Sequence, residues 1–344
     1  MTLPFHHLLA GNRVGGIYFS IMHIPDGFLD LKTAATAGGL AALGLYAGGF
    51  AGVARDAETG VRRVSLLGMA AAFVFAAQMI NFPVVGGTSG HLIGGVLIAI
   101  LLGPAASVTV MTAVVVVQCL LFADGGITAL GANLFNMALV APLGGYLVWM
   151  LLQRINPVAA SDTGSAVAAG IAAWAGTMLA ALSCAGQLAL SGMAPWGLVV
   201  PAMAGIHALI GLGEGIITGL IIRSVRRRGA LSAEMRTAAG ADQRSTMRLL
   251  PVFFITAAGA ALFIAPWACP WPDGLEAVAG SLGFEVHAAG PVISGICPDY
   301  AIPALGTVWG TIAAGAFGAI VTALLILGAG RLAARREQAP VIDS

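Results

Sequence analysis

Long apolar runs alternate with short polar stretches along the whole chain. A helix that crosses a bilayer needs about 20 mostly apolar residues, and such runs occupy residues 33 to 53, 64 to 81, 91 to 103, 105 to 122, 128 to 153, 165 to 191, 198 to 222, 249 to 267 and 304 to 329. The pattern predicts an all-α, polytopic integral membrane bundle of seven spans followed by two C-terminal spans. The third run is short, and Gly103-Pro104 parts it from the fourth, so the pair reads either as a tight hairpin or as one broken helix lining a cavity. Paired glycines such as Gly38-Gly39, Gly48-Gly49 and Gly94-Gly95 suit close helix contact, although spanning helices tolerate Gly generally.

Composition supports the same class. Of 344 residues, 58% are hydrophobic and 9% charged, against roughly a quarter charged in an ordinary soluble domain. That excludes a soluble globular protein and argues against a nucleic-acid partner. The 16 basic residues then orient the bundle. With the region of Met22 outside, nine spans leave only Arg13 and Lys32 on the outer face, and every other basic residue falls inside, the bias that cytoplasmic loops carry. The C-terminus is expected in the cytoplasm. The polar stretch from Arg223 to Arg248 is the one long inward loop and the natural boundary, with seven spans before it and two after.

Polar groups are costly in a membrane, so those that remain are functional candidates. One cluster is Met22-His23-Ile24-Pro25-Asp26-Gly27-Phe28-Leu29, just before the first span. Another is Asn81-Phe82-Pro83-Val84-Val85-Gly86-Gly87-Thr88-Ser89-Gly90-His91, a Gly-rich turn that delivers a histidine to the outer end of the third run. Neutral imidazole suits Ni, Cu, Co and Zn. Interfacial histidines that merely hydrogen-bond loop carbonyls are the competing reading. No His-Glu-x-x-His, Cys-x-x-Cys or Ser-His-Asp order points to a zinc protease, a redox motif or a hydrolase. Met69, Met79, Met111, Met137 and Met178 form no outer stripe and read as core gap fillers.

The runs MHIPDGFLD at 22 to 30, NFPVVGGTSGHLIGG at 81 to 95, FADGGITALGANLFNMA at 122 to 138 and HALIGLGEGIITG at 207 to 219 resemble the CbiM/NikM family. Its members are the membrane-embedded substrate-capture (S) components of energy-coupling factor (ECF) importers, ABC-type systems for cobalt and nickel. Pro272-Asp273-Gly274-Leu275-Glu276 and Pro298-Asp299-Tyr300-Ala301-Ile302-Pro303 are similar to the small CbiN/NikN-type PDGLE subunit, so the chain looks like a fused M-plus-N arrangement. The resemblance implies a metal-capture domain at 22–230, a cytoplasmic linker at 231–248, a PDGLE domain at 249–334 and a tail at 335–344.

It also implies a ligand set. In the family the metal is held by the free amine of the first residue, the main-chain nitrogen and imidazole of the second, and the histidine of the GTSGH turn, which here are Met22, His23 and His91. Such nitrogens favour a square-planar ion, the geometry of Ni(II) and Cu(II), over tetrahedral Zn(II). Residues 1–21 depart from this pattern, since a chain beginning at Met1 has no amine at Met22. That run makes a poor signal peptide, and the working chain is expected to start at Met22 through a misassigned start. Asn81, Thr88, Ser89 and Asn133 are expected to hold the histidine tautomer and loop by hydrogen bonds one step out from the metal.

Other residues carry weaker expectations. Asp26 either orients the N-terminal loop or makes a local turn with Pro25 and Gly27. His207 and Glu214 share one helix face and are expected to pair internally or meet a partner. Asp124 reads as a turn residue. Cys119 and Cys184 read as small buried hydrophobes, while Cys269 and Cys297 share an outer loop where a disulfide is permitted. No GxxxxGK[ST] sequence occurs, so ATP hydrolysis must come from other chains. The resemblance supplies them: a CbiQ/NikQ-like coupling subunit and a CbiO/NikO-like ATPase. The chain is expected to be no enzyme, to hold no cofactor, to lie in a bacterial or archaeal plasma membrane with its metal site outside, and to carry Ni2+ or Co2+ as cargo. A stand-alone secondary transporter or an intramembrane metalloenzyme is the alternative; the first would want ionisable groups deep in the spans and the second a general acid beside the metal.

Overall fold

The structure is a computed structural model and describes residues 23–50, 61–155, 161–227 and 243–337. Met22, the 1–21 segment, most of the 231–248 linker and the end of the tail lie outside the described residues.

The described residues are mostly helical. Helix α1, Leu31–Gly44, is capped by the Asp30 carboxylate on Thr33 N–H and runs on through a π-helical turn at Leu45–Phe50. Helix α2, Val61–Gln78, leads into a hairpin of β1, Asn81–Val84, and β2, Thr88–His91. Helix α3, Gly95–Leu102, and α4, Pro104–Phe122, follow. Helix α5 runs from Leu130–Leu134 through Phe135–Val140 into Ala141–Ile155. Helices α6, Asp162–Leu190, and α7, Trp196–Arg227, are the longest pair before the linker. Beyond it come α8, Gln243–Gly259, continuing to Trp267, the short α9, Gly274–Leu282, and α10, Thr307–Glu337.

Among the described residues, six helices are long and apolar enough to cross a membrane: Pro104–Phe122, Leu130–Arg154, Asp162–Leu190, Trp196–Arg227, Leu250–Trp267 and Thr307–Leu332, with Arg63–Gln78 a shorter apolar helix. Outward-facing Leu147, Ile171, Leu212, Ile216, Phe254, Phe263, Ile320 and Leu324 leave their flanks apolar. So extended an apolar surface would be a liability in water and suits lipid.

Two expectations are amended. The third apolar run gives a helix shorter than the usual length of a span. Its helix α3 has eight residues, about 12 Å of rise, and Ser107 Oγ of α4 reaches back to the Gly95 carbonyl at 2.6 Å, so α3 and α4 form the tight hairpin. All-α also needs qualification, because His91 sits on a strand. The antiparallel ladder pairs Asn81 with His91, Phe82 with Gly90, Pro83 with Ser89 and Val84 with Thr88, and positive-φ Gly86 and Gly87 make its turn.

Close helix contact is built on glycine at α6 and α7. A Cβ on Gly170 would stand 2.9 Å from the Gly215 carbonyl, and one on Gly215 2.7 Å from the Gly170 carbonyl, so the two backbones touch as small residues permit in a membrane. The last two long helices are part of the same body. Helices α8 and α10 pack on α2, and Phe75, Phe122 and Tyr300 share one aromatic cluster, with the Phe122 and Tyr300 rings stacked at 4.8 Å.

Candidate metal centre

The segment from His23 to Phe28 has no regular structure, yet it is packed into the protein. His23, Ile24, Asp26 and Phe28 are all buried. Asn133 of α5 grips both sides of one residue, its Oδ1 accepting from Ile24 N–H and its Nδ2 donating to the Ile24 carbonyl, each at 3.0 Å. Asp26 Oδ1 accepts from Thr128 N–H at 2.8 Å and Thr128 Oγ1 at 2.6 Å, and its Oδ2 accepts from Val292 N–H at 3.2 Å. Asp26 therefore orients the loop. The space beneath is cleared by glycine: a Cβ on Gly126 would strike the Asp26 main chain, and one on Gly125 would come 2.8 Å from His23 Cβ.

The hairpin brings His91 to the same place. The two rings stand 6.1 Å apart between centroids, tilted by 37°. Behind His91 the chain turns into α3 under tight control. Glu214 of α7 accepts from Ile93 N–H at 2.7 Å and Gly94 N–H at 2.9 Å, and Gln78 donates to the Ile93 carbonyl at 2.8 Å. A carboxylate on free N–H groups at a helix start satisfies donors that would otherwise be orphaned. Glu214 thus pairs internally.

Both imidazoles line one cavity of about 80 Å3, with Asn133, Met137, Cys184, Met203, His207 and Asp273 among its other walls. That is room for a metal ion and a few waters. His207 Nδ1 donates to the Met203 carbonyl at 2.8 Å in its own helix, which fixes the ring. Among the described residues no three His, Cys, Asp or Glu side chains converge as a metal cage.

Asp124 is more than a turn residue. Its Oδ1 lies 2.9 Å from His23 Nδ1, and its Oδ2 accepts from the Tyr300 hydroxyl at 2.6 Å. Burial works to raise Asp124, but His23 and the hydrogen bonds from His23 and Tyr300 outweigh it and hold the carboxyl below its ordinary value. His23 Nε2 is buried without a hydrogen-bond partner. Burial, then the neighbouring His23, pulls His91 down to about 4, so its imidazole is neutral and its lone pair available near neutral pH. Burial, then Asp124, pushes the Tyr300 phenol well up, and it stays a donor. Asp273 is also pushed well above the usual carboxylate range, by burial and then by Glu276.

The expected supporting groups divide. Asn133 bonds the main chain of Ile24. Thr88 and Ser89 do a different job: Thr88 Oγ1 donates to the Pro272 carbonyl at 3.0 Å and Ser89 Oγ to the Trp271 carbonyl at 2.7 Å, while Ser89 N–H donates to Pro272 at 2.8 Å. These hydroxyls fasten the C-terminal part to the hairpin, because the strand turns them toward that chain. Asn81 presents its carbonyl to Cys269 N–H at 2.8 Å, and its buried Oδ1 has no partner. The four cysteines are free, so Cys269 and Cys297 are not bridged. The groups that sequence reasoning missed are Asp124, Tyr300 and Asp273. The signal for the first was a lone acid at the end of an apolar run, and the other two lay inside the PDGLE-type motifs.

Known proteins resemble this chain over most of its length. Residues 23–231 match the CbiM family, described as the cobalt uptake substrate-specific transmembrane region. A putative fused nickel transport protein NikMN of Archaeoglobus fulgidus is 38% identical over 306 residues, 88% of this chain and 96% of that one. A probable fused nickel transport protein LarMN of Lactiplantibacillus plantarum is 30% identical over 327 residues, 89% of this chain and 97% of that one. A crystal structure of a truncated transition metal transporter superposes with a TM-score of 0.51 at 32% identity, covering 60% of this chain and 99% of that one. The chain belongs to the CbiM family of cobalt and nickel transport membrane proteins, with a NikN-like part fused at its C-terminal end and no enzymatic role.

Proposed function

We propose that the chain is the substrate-capture component of an ECF-type importer, taking Ni2+ or Co2+ on the outer side of the cell membrane and passing it inward. The observation that carries this is the pair of imidazoles, His23 and His91, meeting in one buried cavity. In this reading the remaining ligands come from the main chain. The working chain begins at Met22, whose amine joins the His23 main-chain nitrogen, the His23 imidazole and His91. A main-chain nitrogen and an imidazole of one residue close a small chelate ring only through Nδ1. Loading therefore takes Nδ1 from Asp124, and the peptide proton must leave. Geometry, more than affinity, then rejects zinc.

The bundle is arranged as seven spans, residues 22–230, and two C-terminal spans, residues 249–334, with the cavity outside and the C-terminus in the cytoplasm. In that count α3 is a short third span and α4 the fourth, their hairpin returning the chain to the side of His23 and His91. Basic residues at the inner ends of α5, α7 and α10, such as Arg154, Arg226 and Arg331, support this orientation. The energy comes from a CbiO/NikO-like ATPase through a CbiQ/NikQ-like subunit. Uptake of radioactive nickel and cobalt by cells with and without these chains tests the assignment. Uptake is expected to require the ATPase and to be abolished by His91→Ala. Full uptake without the ATPase, or undiminished capture in His91→Ala, would overturn it.

A further inference from the structure

A third imidazole lines the cavity. His207 of α7 shares its wall with His91, and its Nδ1 is occupied by the Met203 carbonyl one turn back. In a neutral ring whose Nδ1 donates, Nε2 carries the lone pair. His91 is held in the same way, with Nδ1 donating to the Leu92 carbonyl at 3.3 Å. A carbonyl behind one ring nitrogen is how metal-binding imidazoles are commonly fixed in tautomer and direction. His207 and His91 therefore both keep Nε2 open to an ion, whereas His23 has its Nδ1 on Asp124 until loading.

The elements that carry these two rings are in contact. Ile210, one turn on from His207 and on the same face of α7, stands against β2, where a Cβ on Gly90 would come 2.6 Å from its side chain. Gly90 is the residue before His91. On its other side His207 meets the C-terminal part, which makes room for it. A Cβ on Gly274 would stand 2.8 Å from His207 Cε1 and 3.0 Å from Nε2. Gly274 opens α9 and has no positive φ, so its backbone does not call for glycine. A side chain there would cover the open nitrogen of His207.

We propose that His207 is an entry ligand: an incoming divalent ion is held first between Nε2 of His207 and Nε2 of His91, and then exchanges His207 for His23 and the main-chain nitrogens. Two waters leave the ion at the first station, and no proton does, because both lone pairs are already exposed. The peptide proton is shed only in the second step. His91 holds the ion throughout. The four nitrogens of the loaded site fill a square plane and leave His207 no place in it, so the ring is released. This rests on the reading of His23 and His91 as capture ligands.

The test sets rates against affinity. Radioactive nickel chloride is mixed with the full-length protein, purified with its cellular N-terminus, and bound label is followed by rapid filtration; release is followed by exchange with excess unlabelled nickel. His207→Phe keeps the bulk of the ring, and His207→Gln offers an amide, a poor nickel ligand beside imidazole. Using two variants, each with its metal-free melting temperature measured, keeps a fold defect in one from deciding the result. A station on the route lowers the barrier in both directions alike, so loading and release are expected to slow together by about tenfold or more, leaving their ratio, the dissociation constant, as in the parent. Parental rates in variants that melt as the parent does overturn the entry role. Weakened affinity at a parental loading rate makes His207 a standing ligand and overturns it as well. Parental binding in His91→Ala overturns the reading of the site itself.

Discussion

At the scale of single residues, the proposed ligand set has protons competing with metal at some ligands and not at others. His91 is held near 4 by burial and by His23, so its imidazole stays neutral through the range where cells live. The sign follows from which groups must shed protons on loading. An ordinary α-amine titrates at about 7.7–8.0, and a main-chain N–H must be displaced outright. Nickel affinity is therefore expected to fall on acidification from about pH 8 to about pH 6, by roughly ten- to a hundredfold per unit as one to two protons are released on binding. Calorimetry across that range checks it. A profile flat down to pH 6 would mean that neither the Met22 amine nor the peptide nitrogen is a ligand. The residues themselves were partly legible: His23 and His91 stood out as lone polar groups beside apolar runs, whereas Asp124 and Tyr300 became partners only when residues 176 apart met.

At the scale of elements, three loops make the cavity, and each is fastened by another. The His23 loop is held by α5 through Asn133 and by the residues before it through Gly126. The hairpin is held by α7 through Glu214, and the PDGLE-type turn by the hairpin through Ser89. Gly126 is the most sensitive joint, since a side chain there meets the Asp26 main chain, which cannot yield as a flexible side chain would. Gly126→Ala is expected to cost about 1–3 kcal/mol, as overpacking does, and to weaken nickel binding about tenfold or more by displacing His23. A melting curve and a titration on the same preparation measure both, and an unchanged affinity would show that the loop's seat is not critical. The long helices were legible because twenty apolar residues have few other uses. The hairpin was not, because Asn81–His91 is short, glycine-rich and held by partners distant in sequence, so no local period announced a strand. Thr88 and Ser89 misled for the same reason: their chemistry suited the histidine, and only the register of β2 directs them to Pro272 and Trp271.

At the scale of the whole molecule, the fused C-terminal part is joined to the capture domain by more than its linker. Tyr300 stacks in the Phe75–Phe122 cluster and reaches Asp124, Asp273 enters the cavity wall, and Ala289 N–H donates to the Asp26 carbonyl at 2.8 Å. The C-terminal part thus supplies walls of the cavity that His23 and His91 line. Everything in this account depends on the ion sitting between His23 and His91. Nickel K-edge X-ray absorption of the loaded full-length protein, beside the His91→Ala variant, tests that most directly. The account predicts a planar, all-nitrogen first shell with scattering from two imidazoles in the parent, and loss of one imidazole together with most of the bound metal in the variant. A shell dominated by carboxylate oxygen or sulfur, or an imidazole signal that His91→Ala leaves unchanged, would contradict it.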